Sequence, residues 1–151
     1  MAEAARKELT IKNDTAQLST VRTAVHEFIQ DSGLRPDERS KIVLAVDEAL
    51  SNVIEHAYED AETASGEIQV VLDLDETRLE IVIRDNGKKF EPERIADPEI
   101  RDHIRHGRKK GLGMFIMRKI MDDVNYSLDS EFQNELVMRK FIGNKQDENE
   151  E

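Results

Sequence analysis

The segment from Val43 to His56, with sequence V-L-A-V-D-E-A-L-S-N-V-I-E-H, constrains the fold more than any other part of the chain. Its apolar residues recur at steps of three and four, the spacing that places side chains on one face of an α-helix. That apolar face consists of Ile42, Val46, Ala49, Leu50, Val53 and Ala57. The sequence therefore predicts a long amphipathic helix that packs against the core and runs to about Tyr58.

A second, polar stripe follows the same helix. It consists of Lys41, Glu48, Asn52, Glu55 and Glu59. Because Glu48 and Asn52 are four residues apart, they lie one turn apart on the same side. A carboxylate can accept a proton and an amide oxygen can bind a hard cation, so the pair could serve phosphoryl transfer. A solvated helix face explains the same two residues, and for polar side chains it is the commoner situation.

Composition restricts the classes of protein that the chain can belong to. Its 151 residues suit one domain, and with 36% charged but only 5% aromatic residues the core must be aliphatic. Without cysteine it has no disulfide framework and no thiolate metal site. A net charge of −11 argues against general nucleic-acid binding. No apolar run is long enough to span a membrane and no secretory signal is present, so we expect a cytoplasmic protein.

The order of the other sequence patterns predicts the fold class. Asp14 or Thr15 can cap a first helix, Gly33 ends it, and Pro36 suits the first turn of the central helix. Strands are expected at 8–12, 67–74, 78–84, 124–128 and 135–142, and further helices at 16–30 and 112–121. This order predicts an α+β fold, a two-layer α/β sandwich in which helices cover one face of a mixed, mostly antiparallel sheet. We expect one domain over 1–151, with a short extension at 1–7 and a disordered acidic tail from about 144.

Two further clusters lie where a strand ends and where a helix begins. Asp85 and Gly87 follow the second strand of the hairpin, where glycine lets the backbone approach a ligand, although an Asp-Asn-Gly turn is the simpler interpretation. Lys110 precedes Gly111-Leu112-Gly113 at a helix start, where free backbone N–H groups and the helix dipole favour an anion. The long basic segment between the clusters is typical of a functional loop.

Several familiar sites are excluded by their missing motifs. The chain has no Walker-type loop, no dinucleotide-binding glycine pattern, no protein-kinase signature and no nucleophile elbow. Its four histidines have no spacing that makes a zinc site, so His56 is interpreted as a packing or hydrogen-bonding residue.

Taken together and in this order, the three clusters resemble the N, G1 and G2 boxes of the GHKL ATPase superfamily. They read Glu48-x-x-x-Asn52, Asp85-x-Gly87-x-x-Phe90 and Gly111-Leu112-Gly113-Met114. The stretch V-D-E-A-L-S-N-V-I-E-H-A-Y and the third-helix pattern G-L-G-M-F-I-M-R-K-I-M-D-D-V resemble the anti-sigma-factor serine kinases of the RsbW/SpoIIAB type. The resemblance covers 9–142 and implies the Bergerat, or histidine-kinase-like ATPase, fold.

The resemblance also implies roles for the matching residues. Glu48 would be the general base, and Asn52 would bind Mg²⁺ through its side-chain oxygen. Asp85 would accept a hydrogen bond from the adenine amino group, with Gly87 making room for the base. The phosphates of ATP would lie against Lys110, Gly111, Leu112 and Gly113, under an ATP lid at 95–108.

The implied protein is an ATP- and Mg²⁺-dependent serine/threonine kinase and anti-sigma factor. It would phosphorylate a STAS-domain anti-anti-sigma protein, bind a sigma factor and form a homodimer. The sequence departs from many relatives at Lys88-Lys89 and at Asn134-Glu135, where they carry Gly-Thr and this chain has a carboxylate.

Three alternatives remain open. The Asn134-Glu135 departure supports a module that binds nucleotide and sequesters a partner with little phosphate transfer. A detached histidine-kinase catalytic domain shares the same boxes, but nothing upstream of Leu9 could be a dimerising helix with a phosphoacceptor histidine. A purely structural domain would show no effect of nucleotide on its melting temperature.

Overall fold

The computed structural model describes residues 4–56, 66–86, 112–127 and 134–142. These form three helices and five strands, apart from a short 3-10 turn at Thr15–Gln17. In chain order the elements are β1 Ala5–Lys12, α1 Leu18–Ile29, α2 Pro36–His56, β2 Glu67–Leu74, β3 Arg78–Asp85, α3 Leu112–Ile120, β4 Asp123–Ser127 and β5 Asn134–Phe141. The predicted strands and helices are confirmed, and most of their bounds shift by only a few residues.

The ends of α1 and α2 follow the local signals in the sequence. The Asp14 side chain accepts a hydrogen bond of 3.0 Å from the backbone N–H of Ala16, so it caps the 3-10 turn that leads into α1. Gly33 adopts a positive φ of 89°, a conformation that glycine takes without steric cost, and this turns the chain after α1. Pro36 begins α2, and its first turn carries Asp37 and Glu38, as the helix dipole favours.

The five strands form one sheet in the order β1-β2-β3-β5-β4. Every ladder among the described residues is antiparallel, whereas a mixed, mostly antiparallel sheet was expected. β5 lies between β3 and β4, although it is the last of the described strands along the chain. α2 packs against α1 and α3, and the helices contact the sheet through β2, β3 and β4. The predicted α+β two-layer architecture is confirmed.

One continuous aliphatic core lies between the sheet and the helices. Alternate residues of β2, β3 and β5 face it, as the two-residue period of a strand requires. α2 contributes four of the predicted apolar residues, together with Ala45, which lies outside the predicted stripe. The fully buried members with the largest side chains are Ile29, Ile42, Leu50, Ile68, Leu72, Leu79, Ile81, Ile83, Met117, Met138 and Val21.

The opposite face of the sheet is crossed by a hydrogen-bonded row of polar side chains, here called the outer row. Arg84 donates to Gln69 at 3.0 Å and to Glu135 at 2.7 Å, and Gln69 donates to Glu8. Ser127 completes the row by donating to Glu135. The row joins all five strands through one member each: Glu8, Gln69, Arg84, Glu135 and Ser127.

None of the helices within the described residues is long and apolar enough to cross a membrane.

Candidate functional site

A buried pair of polar side chains lies where β3 ends and β5 begins. Asp85 is 2% exposed and Asn134 is 5% exposed, and the two residues are direct partners across the β3–β5 ladder. The Asn134 amide donates from Nδ2 to Oδ1 of Asp85 at 2.9 Å. Since a buried carboxylate is costly unless it accepts hydrogen bonds, Asn134 offsets part of the cost of keeping Asp85 inside.

The sheet places this pair on the face that points to the helices. In β3, Asp85 follows Ile81 and Ile83 at two-residue steps, and in β5 Asn134 precedes Leu136 in the same way. The inward-facing aliphatic side chains of β3 and β5 are therefore followed by a polar pair at this end of the sheet. Such a change from apolar to polar side chains at a strand end is a common position for a ligand site.

The charges of two neighbours act on a tyrosine of the same region. Burial raises the pKa of the Tyr126 hydroxyl above its usual range; Arg118 of α3 opposes the shift and Asp85 adds to it. These three residues come from β4, α3 and β3, so they lie within electrostatic reach of one another. Tyr126 therefore remains a neutral hydroxyl at physiological pH, able to donate or accept a hydrogen bond.

The two α2 residues singled out in the sequence differ in environment. Asn52 is 8% exposed, and its amide nitrogen has no hydrogen-bond partner within the described part of the chain. The interpretation of a solvated polar stripe is therefore wrong for Asn52, although it holds for Lys41 and Glu55, which are exposed. Glu48 is half-buried one turn before Asn52, on the helix that packs against both α3 and β3.

The environment of Asn52 fits a polar ligand. A buried N–H group without an acceptor destabilises the folded state, and phosphate oxygens are acceptors that could satisfy it. Its carbonyl oxygen is a ligand type that Mg²⁺ uses. Among the described residues, no group of three His, Cys, Asp or Glu side chains could hold a metal ion.

The other predicted binding residues lie partly outside the described residues. Gly87, Lys110 and Gly111 fall there, as do the predicted lid at 95–108 and the Lys88-Lys89 departure. Leu112 and Gly113 lie in the first turn of α3, as predicted. The first turn of any helix has backbone N–H groups without intrahelical partners, so this position can bind an anion.

The structure shows where the carboxylate of the Asn134-Glu135 departure lies. Glu135 is on the face of the sheet opposite to Asp85, in the outer row, with Arg84 Nε at 2.7 Å. Asn134, which was not predicted as a site residue, is the one that faces Asp85. The two-residue period of β5 was the available signal, because 134 shares its face with the apolar 136 and 138.

Comparison with known proteins identifies the family of this chain. A family profile described as "Histidine kinase-like ATPase domain" matches residues 11–140. The chain is 28% identical over 147 residues to proteins named serine-protein kinase RsbW from Bacillus thuringiensis (strain Al Hakam) and Bacillus cereus (strain AH187). Each alignment covers 95% of this chain and 89% of the relative.

A solved structure shares the fold. It contains the RsbU and RsbW domains of Rv1364c from Mycobacterium tuberculosis, and it superposes with a TM-score of 0.63 at 15% sequence identity. The match covers 91% of this chain but 32% of that longer protein.

Proposed function

Since the chain belongs to the family of histidine kinase-like ATPase domains, we propose that it is an ATP- and Mg²⁺-dependent serine/threonine-protein kinase. Its substrate is a STAS-domain anti-anti-sigma protein, and it also acts as an anti-sigma factor by binding a sigma factor. We place it in the cytoplasm as a homodimer. The observation that carries the proposal is the buried Asp85–Asn134 pair at the end of the sheet.

Asp85 recognises the base. A carboxylate can only accept hydrogen bonds, so a buried one selects a ligand edge that presents a donor. Adenine carries such a donor, its amino group, at position 6 of the ring, where guanine carries an oxo group that only accepts; the donors of guanine are N1–H and the 2-amino group. A carboxylate that faces position 6, as proposed for Asp85, therefore favours adenine over guanine nucleotides.

Asn52 and the start of α3 bind the phosphates. The buried Asn52 amide supplies a carbonyl oxygen for Mg²⁺ and an N–H group for a phosphate oxygen. Lys110, Gly111, Leu112 and Gly113 add a positive charge and the free N–H groups of a helix start. When bound, Mg²⁺ neutralises charge on the phosphates during transfer.

Glu48 acts on the acceptor hydroxyl. Because it is half-buried, its carboxylate can be reached by a protein substrate while being held on a rigid helix. Phosphoryl transfer depends mainly on positioning and charge stabilisation, so the base orients the hydroxyl and takes its proton. The names of the curated relatives support a protein serine as the acceptor.

The alternative of a sequestration module with little phosphate transfer rested on the Asn134-Glu135 departure from Gly-Thr. Glu135 is paired with Arg84 on the other face of the sheet, so its carboxylate no longer supports this alternative, whereas the missing threonine still does. We favour the kinase because the names of the relatives support it.

The test separates the roles of Glu48 and Asn52. Glu48→Gln should leave Mg-ATP affinity nearly unchanged while phosphate transfer falls by about 10²–10⁴, the usual range for a lost general base. Asn52→Ala should instead weaken the Mg²⁺ dependence of ATP binding as well as the rate. The measurements are calorimetric ATP affinity with and without Mg²⁺, and single-turnover phosphorylation of a purified STAS-domain anti-anti-sigma protein.

Glu55→Gln is the matched control, because Glu55 lies two turns beyond Glu48 on the same stripe of α2 and is exposed. It should change neither binding nor transfer. Full transfer activity in Glu48→Gln would show that Glu48 is not the base. Tight Mg-ATP binding by the wild type without any transfer to the STAS protein would favour the sequestration module.

A further inference from the structure

Asn134 donates a hydrogen bond to Asp85, and the pairing of β5 with β3 does not by itself require this contact. The next inward-facing residues of β5, Leu136 and Met138, are apolar and fill the core. An apolar side chain at 134 would leave the buried Asp85 carboxylate without this donor, which is costly. Position 134 instead carries an amide that directs Nδ2 at the carboxylate of the neighbouring strand.

The contact restricts the geometry of Asp85. An ionised carboxylate has no donor, so only the NH₂ end of the Asn134 amide can face it, and this fixes the orientation of the amide. The hydrogen bond of 2.9 Å to Oδ1 then limits rotation of the carboxylate about its last torsion, which is broad when unrestrained. Both groups are buried, so water competes weakly for the bond.

We propose that Asn134 is a positioning residue for nucleobase selection, which orients the Asp85 carboxylate toward the amino group of adenine. Asn134 does not touch the base in this assignment; it acts through Asp85. The inference rests on the proposed adenine-binding role of Asp85, and it adds the residue that holds the accepting carboxylate in one orientation.

The test compares ATP with purine riboside triphosphate, which lacks the 6-amino group but keeps the ring, ribose and phosphates. Calorimetry with Mg²⁺ present gives the affinity for each, and their ratio isolates the bond to the amino group. The wild type should prefer ATP by about tenfold or more, the effect of one hydrogen bond to a charged group. Asn134→Leu, of similar size without a donor, should reduce this preference by at least about threefold, mostly through ATP.

A second variant uses pH to separate hydrogen bonding from shape. In Asn134→Asp two carboxylates are in contact and cannot easily both ionise. When the pair holds a proton, one carboxyl group can donate to the other as the amide did. The ATP preference of this variant, relative to the wild type at each pH, should therefore recover as the pH is lowered from about 8 to about 6. A residue that only fills space would give no such recovery.

Glu135→Gln is the matched control, because Glu135 is the next residue of β5 but faces the outer row. Glu135→Gln should keep the wild-type ratio of affinities for ATP and purine riboside triphosphate.

The outcomes distinguish the two proposals. If the wild type prefers ATP and Asp85→Asn abolishes the preference, but Asn134→Leu retains it in full, the positioning role is wrong and the adenine site stands. If the wild type binds both nucleotides equally, the role of Asp85 in adenine recognition is wrong and the role of Asn134 is refuted with it.

Discussion

The substitution Asp85→Asn tests the site with the least change in shape. It replaces a carboxylate oxygen by NH₂ at a side chain that is 2% exposed. The new amide can present its oxygen to Asn134 and so keep that hydrogen bond. Its NH₂ group then occupies the position of the second carboxylate oxygen, where it meets the amino group of adenine as donor against donor.

The size of the effect follows from this exchange. A hydrogen bond to a charged group contributes about 1.5–3 kcal/mol, so the affinity for Mg-ATP should fall about ten- to a hundredfold. The Asn134 bond survives as a neutral one, so the free energy of unfolding without ligand should change by no more than about 1 kcal/mol. For a chain of this length that is about 2–4 °C in melting temperature.

Calorimetry measures the affinity, and thermal melting with Mg-ATP and Mg-ADP provides an independent measure. The nucleotides should raise the melting temperature of the wild type, because they bind the folded state only. Each tenfold loss of affinity removes about 1.4 kcal/mol of that stabilisation at a fixed, saturating concentration. Asp73→Asn is the control: Asp73 lies on β2 with Arg6 at 3.5 Å, on the face away from the helices.

The reasoning would be refuted by an Asp85→Asn protein that binds Mg-ATP with wild-type affinity and gains as much melting temperature from Mg-ATP as the wild type. In that case the Asp85 carboxylate accepts no hydrogen bond from the base.

Two further predictions concern stability. Gly33→Ala should lower the free energy of unfolding by about 1 kcal/mol, because alanine is strained at a φ of 89° although the added Cβ would meet nothing within 4 Å. Asparagine tolerates this conformation, so Gly33→Asn should lower the free energy of unfolding by less in the same denaturant titration. Hydrogen bonds from the Thr77 side chain, and then from the backbone N–H groups of Thr77 and Arg78, lower the pKa of Asp75 below its ordinary 3.8. Ionised Asp75 therefore stabilises the fold at pH values above 3.8, and this stabilisation is lost as the pH falls through the lowered pKa. Asp75→Asn should accordingly melt below the wild type at neutral pH, and the two curves should converge in acid; a constant difference at every pH would contradict this assignment.

Local patterns predicted the elements well because each is encoded in adjacent residues. The alternation in 67–74 gives β2 its observed bounds, and Pro36 marks the start of α2. β1 begins at Ala5 instead of residue 8, because 5–7 pair with 72–74 of β2 and gain order from that ladder. Such an extension depends on the partner strand and cannot be inferred from A-R-K alone.

The candidate site was predictable in part. The family resemblance singled out Glu48, Asn52 and Asp85 as candidates, but the burial of Asn52 depends on packing between elements distant in sequence. The position of Asn134 depends on the register of β5 against β3, since a shift of one residue would have turned Glu135 inward in its place. Strand order was equally inaccessible, because nothing local places β5 between β3 and β4.

That strand order has a consequence for how the chain acquires its structure during synthesis. β4 leaves the ribosome before β5, yet within the described residues its ladder is with β5. A nascent chain that ends before 134 contains the residues of β1, β2 and β3 but not the strand with which β4 pairs, and Asp85 lacks its amide donor. The same late strand therefore completes the sheet and the pair that we propose to recognise the base, so the proposed base selection should arise only after β5 has been synthesised.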